Sequence, residues 1–299
     1  MKKIFSGIAT VFVILIGGFF YIQDETDFDL DSLITKATTG SIENTKEDKE
    51  LIGEKTNSEN YKFINDNKTS LTEEDKKLLD KQGYDSFWVN YSPLDKHGRG
   101  GTVEALVTYK SVSDNASKNK ERPSFASNLH IAGEYKDGYY DASNETWRSK
   151  EIENAKQENR KPIESKYKNN KILQLDGYRG YVYNKSHSLA WSLGGDMEAH
   201  NLTLGTRSQN VGSNSASEGG GMGYPETQVR NAIYNNPDAK VYYQVVPVYK
   251  DKELMPRGSH VRAYSVNDDG ETVNLNVWIS NTQKGLNINY NNGTYEMAN

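Results

Sequence analysis

The chain has 299 residues, 35% of them hydrophobic and 11% aromatic, enough to bury a sizeable core in one or two domains. It contains no cysteine, which excludes disulfides, thiolate catalysis and cysteine-ligated zinc. The net charge of -5 is unevenly spread: residues 24–82 carry 16 acidic against 9 basic side chains, whereas residues 83–299 balance 25 against 25. That neutrality argues against a broad basic DNA-coating surface but leaves room for a local phosphate-binding groove.

In chain order, Lys2 and Lys3 precede an uncharged, mostly apolar run from Ile4 to Ile22. At about 1.5 Å per residue such a run spans about 28 Å, close to the hydrocarbon thickness of a bilayer. Residues 1–23 therefore read as a signal peptide or an uncleaved membrane anchor. Phe19, Phe20 and Tyr21 stand where a small-residue cleavage signal would lie, which favours the anchor. The two lysines then stay in the cytoplasm and the rest of the chain lies outside. Residues 24–82 read as an acidic, polar, weakly structured spacer, with a capped helix start at Thr72 ahead of Glu73, Glu74 and Asp75.

Residues 83–299 read as the folded domain, of α+β class, with an antiparallel sheet core and packed helices. Residues 110–170 are polar and expected to be mostly loop, with one helix from Asn144 to Asn159. The order then predicted is a strand over Tyr181 to Asn184 ending beside His187, a strand over Asn201 to Thr206, and a helix from Arg207 bearing Asn210. Gly219 to Gly223 read as a flexible glycine-rich loop without the lysine of a phosphate loop. Pro225 can open a helix on which Glu226 and Arg230, four apart, share a face. Lys240 to Lys250 is rich in β-branched and aromatic residues, and Val273, Leu275, Val277 and Ile279 alternate with mostly polar neighbours, as strands do. Asn267-Asp268-Asp269-Gly270 and Asn291-Asn292-Gly293 mark turns.

The chemistry concentrates between Tyr181 and Gly212. Phosphodiester hydrolysis needs an in-line nucleophile and a means of neutralising charge on the phosphate and the leaving oxygen. A histidine neutral at pH 7 can take a proton from water, and asparagine oxygens can bind a hard divalent cation. His187, Asn201 and Asn210 supply these groups. The strand, strand, helix order allows base and ligand to flank one phosphate.

Several separated motifs resemble the DNA/RNA non-specific endonucleases, the ββα-metal nucleases, and in particular their Gram-positive DNA-entry branch. They are Asn184-Lys185-Ser186-His187, Ser192-Leu193-Gly194-Gly195, Asn201-Leu202-Thr203-Leu204-Gly205-Thr206-Arg207, Gln209-Asn210-Val211-Gly212 and Tyr224-Pro225-Glu226. Tyr91-Ser92-Pro93-Leu94-Asp95 with Gly98-Arg99, and Asn281-Thr282-Gln283-Lys284-Gly285, extend the similarity over roughly residues 84 to 295. The resemblance implies a ββα-metal motif in which His187 is the general base and Asn210 the protein ligand of Mg²⁺, with Mn²⁺ as an alternative. It further implies that Glu226 acts through a water on the metal, and that Asn184 and Asn201 support the motif. Arg230, Lys185 and Arg207 are the expected phosphate contacts. Lys185 replaces the more usual arginine and Ser188 a leucine, while base and ligand are both retained.

The expected function is a membrane-anchored or secreted endonuclease with DNA, and RNA as a second substrate, as its partners. Two other readings share these residues. One is a surface receptor that binds DNA without cutting it, as in uptake. The other is a secreted nuclease toxin with an immunity protein as partner.

Overall fold

The computed structural model describes residues 42, 44–212 and 219–298 of the protein. The apolar run expected to be an anchor, residues 1–23, lies outside the described residues. No helix among the described residues is long and apolar enough to cross a membrane.

Six strands form the central antiparallel sheet: β1 (Lys62–Phe63), β2 (Trp88–Tyr91), β3 (Val103–Val107), β10 (Val241–Val248), β11 (Gly258–Ser265) and β12 (Asn274–Ser280), in the order β1-β12-β11-β10-β3-β2. Each central strand alternates its side chains, so one face carries Ala105, Tyr243, Val245, Val261, Val277 and Ile279 into the main core. Val229 and Ile233 of helix α7 (Gly223–Asn235) cover that face, together with Leu189 and Leu193 from the segment after His187. The opposite face presents Leu106 and Tyr242 to Leu79 of helix α2 (Glu73–Gln82). Four hairpins flank the sheet: β4 (Gly138–Asp141) with β5 (Thr146–Ser149), β6 (Ile172–Leu175) with β7 (Tyr178–Tyr181), β8 (Tyr183–His187) with β9 (Leu202–Thr206), and β13 (Leu286–Asn289) with β14 (Thr294–Met297). Val182, Tyr183, Leu202 and Leu204 join Leu175, Leu286 and Tyr290 in a second core beneath these hairpins.

Two expectations are corrected. The expected helix over Asn144 to Asn159 begins later: Thr146 to Ser149 form β5, and the helix, α4, spans Lys150–Gln157 behind a Ser149 cap. Trp147 accounts for the difference, because it is buried and its Nε1–H donates to the Gly98 carbonyl at 2.9 Å, which holds the segment extended. The described part of the expected spacer, residues 44–82, is folded. Helices α1 (Lys46–Glu50) and α2 start at capping boxes on Thr45 and Thr72, the second where the sequence placed it. Strand β1 pairs with β12, and Asn60 Nδ2 and Thr69 N–H reach the Ser280 carbonyl and Asn274 Oδ1 at 2.8 and 2.7 Å. Its acids are not all solvated: Asp48 lies 2.7 Å from His260 Nδ1, and Asp75 forms a bidentate pair with Arg262 at 2.9 and 3.0 Å. Both partners come from β11, nearly two hundred residues downstream or more.

Candidate active site

Strands β8 and β9 pair from Tyr183 opposite Thr206 to His187 opposite Leu202. Helix α6 (Arg207–Val211) follows directly, its first turn capped by Thr206, whose Oγ1 accepts the Gln209 N–H at 2.9 Å. This is the predicted strand, strand, helix order. It brings Asn210 back to β8, where Ser186 Oγ donates to Asn210 Oδ1 at 3.1 Å. The C-terminal motif reaches the same helix: Thr206 Oγ1 donates to the Thr282 carbonyl at 2.7 Å, and Ser208 N–H to Gln283 Oε1 at 3.1 Å.

His187 ends β8 and is 8% exposed. Its Nε2 lies 3.1 Å from Met197 Sδ, and the Phe125 ring stacks on the imidazole with centroids 5.5 Å apart. Burial lowers its pKa to about 4, with the Arg122 charge adding to the shift and Asp196 opposing it. The imidazole is therefore neutral at pH 7, as a proton acceptor must be.

Asn201 is fully buried and holds the segment that follows His187. Its Oδ1 accepts from Leu189 N–H at 2.8 Å, and its Nδ2 donates to the Leu189 and Asp196 carbonyls at 3.0 and 2.9 Å. The loop closes so tightly that a Cβ on Gly195 would lie 1.9 Å from the Leu189 carbonyl oxygen. Beyond it, Asp196 Oδ2 lies 2.7 Å from His200 Nε2, and Asp196 N–H donates to the Tyr91 hydroxyl at 3.1 Å.

Glu226 lies in the first turn of α7. Met222, which begins that approach, donates its N–H to the Gln209 carbonyl at 2.8 Å, so α7 starts against the residue before Asn210. The described glycines Gly219 to Gly223 are part of this junction. Gly221 has φ of +54°, and a Cβ there would meet the Gln209 and Ser208 carbonyl oxygens at 2.4 and 2.6 Å. Burial pushes the Glu226 carboxyl up to about 8, against the opposing charges of Arg230 and Arg122. Arg230 is steadied by Ser192 Oγ at 3.2 Å and Thr227 Oγ1 at 3.1 Å.

The remaining predicted residues take distinct positions. The Lys185 ammonium donates to the Leu129 carbonyl, sits 3.5 Å from Glu134 and lies over the Phe125 ring. Asn184 Nδ2 is buried without a hydrogen-bond partner among the described residues. Arg207 opens α6 with its guanidinium 5.7 Å from the Tyr178 ring centroid, and its buried Nε also has no acceptor there. The Asp95 and Arg99 motif forms a buried ion pair of 2.7 Å that also grips the Asp251 and Glu253 carbonyls.

Arg122 and Phe125 were not singled out in the sequence. Exposed Arg122 projects its charge onto both His187 and Glu226 and stands 6.0 Å from the Phe125 ring. The signal available was slight: one cation and one aromatic in a polar stretch assigned to loop.

A hairpin ending in a buried neutral histidine, followed by a helix whose asparagine folds back onto it, is the ββα-metal arrangement. Residues 137–267 match the model of the DNA/RNA non-specific endonuclease family. Over 210 residues the chain is 35% identical to a deoxyribonuclease of Streptococcus dysgalactiae subsp. equisimilis, covering 69% of this chain and 59% of that relative's length. The fold is similar to that of Sda1 nuclease, solved with a bound zinc ion, at a TM-score of 0.61 and 28% identity over 80% of this chain and 97% of the other. NucA from Streptococcus agalactiae, solved with a magnesium ion, shares the fold at a TM-score of 0.52 and 17% identity, covering 91% and 98% of the two chains. These likenesses support the Gram-positive branch that the motifs imply.

Proposed function

We propose that the protein is a divalent-metal-dependent endonuclease that hydrolyses DNA, and RNA as a second substrate, with little sequence preference. The observation that carries this reading is that Asn210, on the next helix, is held by Ser186, the residue before the buried, neutral His187.

The residues fit a hard cation such as Mg²⁺, or Mn²⁺ in its place. Asn210 Oδ1 takes one hydrogen bond from Ser186 and keeps acceptor capacity to spare. Glu226 is a half-buried residue whose carboxyl carries the opposing charges of Arg230 and Arg122, and its oxygens are hard donors. No three His, Asp or Glu side chains converge on a metal-sized site among the described residues, which suits an ion that takes few protein oxygens and keeps its waters. Asn210 would hold the ion with Glu226 nearby, and the bound cation would offset negative charge on the phosphate and the leaving oxygen.

His187 removes a proton from water as the water oxygen bonds to phosphorus and the bond from phosphorus to the 3′ oxygen breaks. A 5′-phosphate end results. Phe125 and Met197 fix the imidazole, Asn201 fixes the loop behind it, and Arg230 and Arg122 balance phosphate charge. Contacts confined to phosphate carry no base information, hence the lack of sequence preference. The apolar run from Ile4 to Ile22 supports tethering to a membrane with this domain outside the cell, or secretion after cleavage.

Plasmid cleavage by the full chain and by His187→Ala, each with Mg²⁺, Mn²⁺ and EDTA, tests the proposal. Nicking by the wild type with metal, absent with EDTA and lowered at least about a hundredfold in His187→Ala, is expected. Equal inertness of both proteins with either metal would overturn it.

A further inference from the structure

The hairpin of β6 and β7 leads straight into β8, yet nothing in the proposed chemistry uses it. Its inner side chains, Leu173, Leu175 and Tyr178, pack on the second core. Its outer face holds Ile172, Gln174, Arg179 and Tyr181, all exposed, with Ile172 opposite Tyr181 and Gln174 opposite Arg179. Tyr181 and Ile172 are 50% and 49% exposed, among the largest apolar exposures in the described structure.

The hairpin is stiffened by its own side chains. The Tyr178 hydroxyl donates to the Tyr181 carbonyl at 2.8 Å, which lays the ring across Gly180, where a Cβ would meet the hydroxyl oxygen at 2.3 Å. Arg207 stands over the same ring. Arg179 is exposed beside Tyr181 on the outer face, whereas Arg207 stands over Tyr178, whose ring packs on the second core. An exposed aromatic ring beside an exposed arginine is the chemistry that takes nucleic acid, by base stacking and phosphate attraction.

Connectivity sets the distance to the reaction. Arg207 N–H donates to the Val182 carbonyl at 3.0 Å, fixing the hairpin's exit against the start of α6. From Tyr181 to Ser186, beside Asn210, is five residues with a bend at Val182, at most about 17 Å. That is within about five base-pair steps of duplex.

From this juxtaposition we infer that the outer face of the β6–β7 hairpin, with Arg207 at its base, grips the nucleic-acid strand flanking the phosphodiester that is cut. The inference rests on the proposed nuclease function. It explains how a site that touches only one phosphate retains a long substrate.

The test compares the full chain with Arg179→Ala/Tyr181→Ala in two assays. One is hydrolysis of bis(p-nitrophenyl) phosphate, too small to reach the hairpin. The other is binding of a labelled 20-base-pair duplex, read by anisotropy over a salt series in the His187→Ala background so that nothing is cut. The expected result is a duplex Kd raised about tenfold, a shallower dependence of log Kd on log salt, and unchanged hydrolysis of the small diester. An unchanged Kd and salt slope would overturn the hairpin's role while leaving the nuclease reading intact. A wild type that cuts neither the small diester nor plasmid DNA would overturn the nuclease reading, and the binding arm would still report on the hairpin. Equal melting temperatures exclude misfolding as the cause, and Arg179→Lys/Tyr181→Phe restores binding if charge and ring are what matter.

Discussion

The Thr206 backbone N–H donates to Asn281 Oδ1 at 2.9 Å, so a residue from the end of the central sheet fixes the first residue of the active-site helix cap. Asn281 is fully buried and also donates through Nδ2 to the Leu204 and Pro256 carbonyls at 3.0 and 2.9 Å. Asn281→Ala leaves three buried backbone groups without partners and should destabilise the protein by about 2–4 kcal/mol. It should also raise the metal concentration needed for half-maximal cleavage, because α6 carries Asn210. Urea unfolding and a metal titration of plasmid nicking check both. A stability loss with an unchanged metal response would show that the cap does not position Asn210.

Lys185 offers a sharper discrimination. If it braces the loop that carries Phe125, Lys185→Met should lower stability by about 1–2 kcal/mol and depress kcat, since the Leu129 carbonyl and Glu134 lose their cation. If it touches phosphate instead, KM should rise with stability unchanged. Melting temperature and steady-state kinetics on one preparation separate the two, and bracing is the expected outcome.

The acid limit of stability should depend on the far side of the sheet. Burial alone would raise the Asp75 pKa, but the Arg262 hydrogen bond and charge, with the Thr72 N–H and the Tyr242 hydroxyl, hold it below the usual carboxylate value. A depressed folded value stabilises the fold above the unfolded pKa of about 4 and is lost as pH falls through the folded pKa. Arg262→Met should therefore melt well below the wild type at pH 7, with the gap narrowing towards pH 3 as Asp75 protonates. A gap that is the same at both pH values would contradict the assignment.

Local signals and the motif series made much of this legible in the sequence. Thr72 and Asp75 announced α2, the alternation from Val273 to Ile279 gave β12, and the order around His187 gave the hairpin and α6. Contacts distant in sequence hid the rest. Strand β11 reads as polar because His260 and Arg262 sit on its outer face, and only the fold reveals that Asp48 and Asp75 pair with them. For the same reason an acidic N-terminal stretch looked solvated. Arg122 and Phe125 carry no spacing relation to His187, since a loop rather than a periodic element delivers them.

The short strand β1 and its flanking residues have one more effect. Together, Asn60, Phe63 and Ile64 occupy the outer hydrogen-bonding edge of β12, and the Thr69 N–H donates to the Asn274 side chain at its start. Removing everything before residue 83 would strip that cover and leave a long, apolar edge open to pairing with another chain. The stretch that reads as a spacer thus also covers an edge of the central sheet. Any soluble version of the domain should begin no later than the residues that form α1.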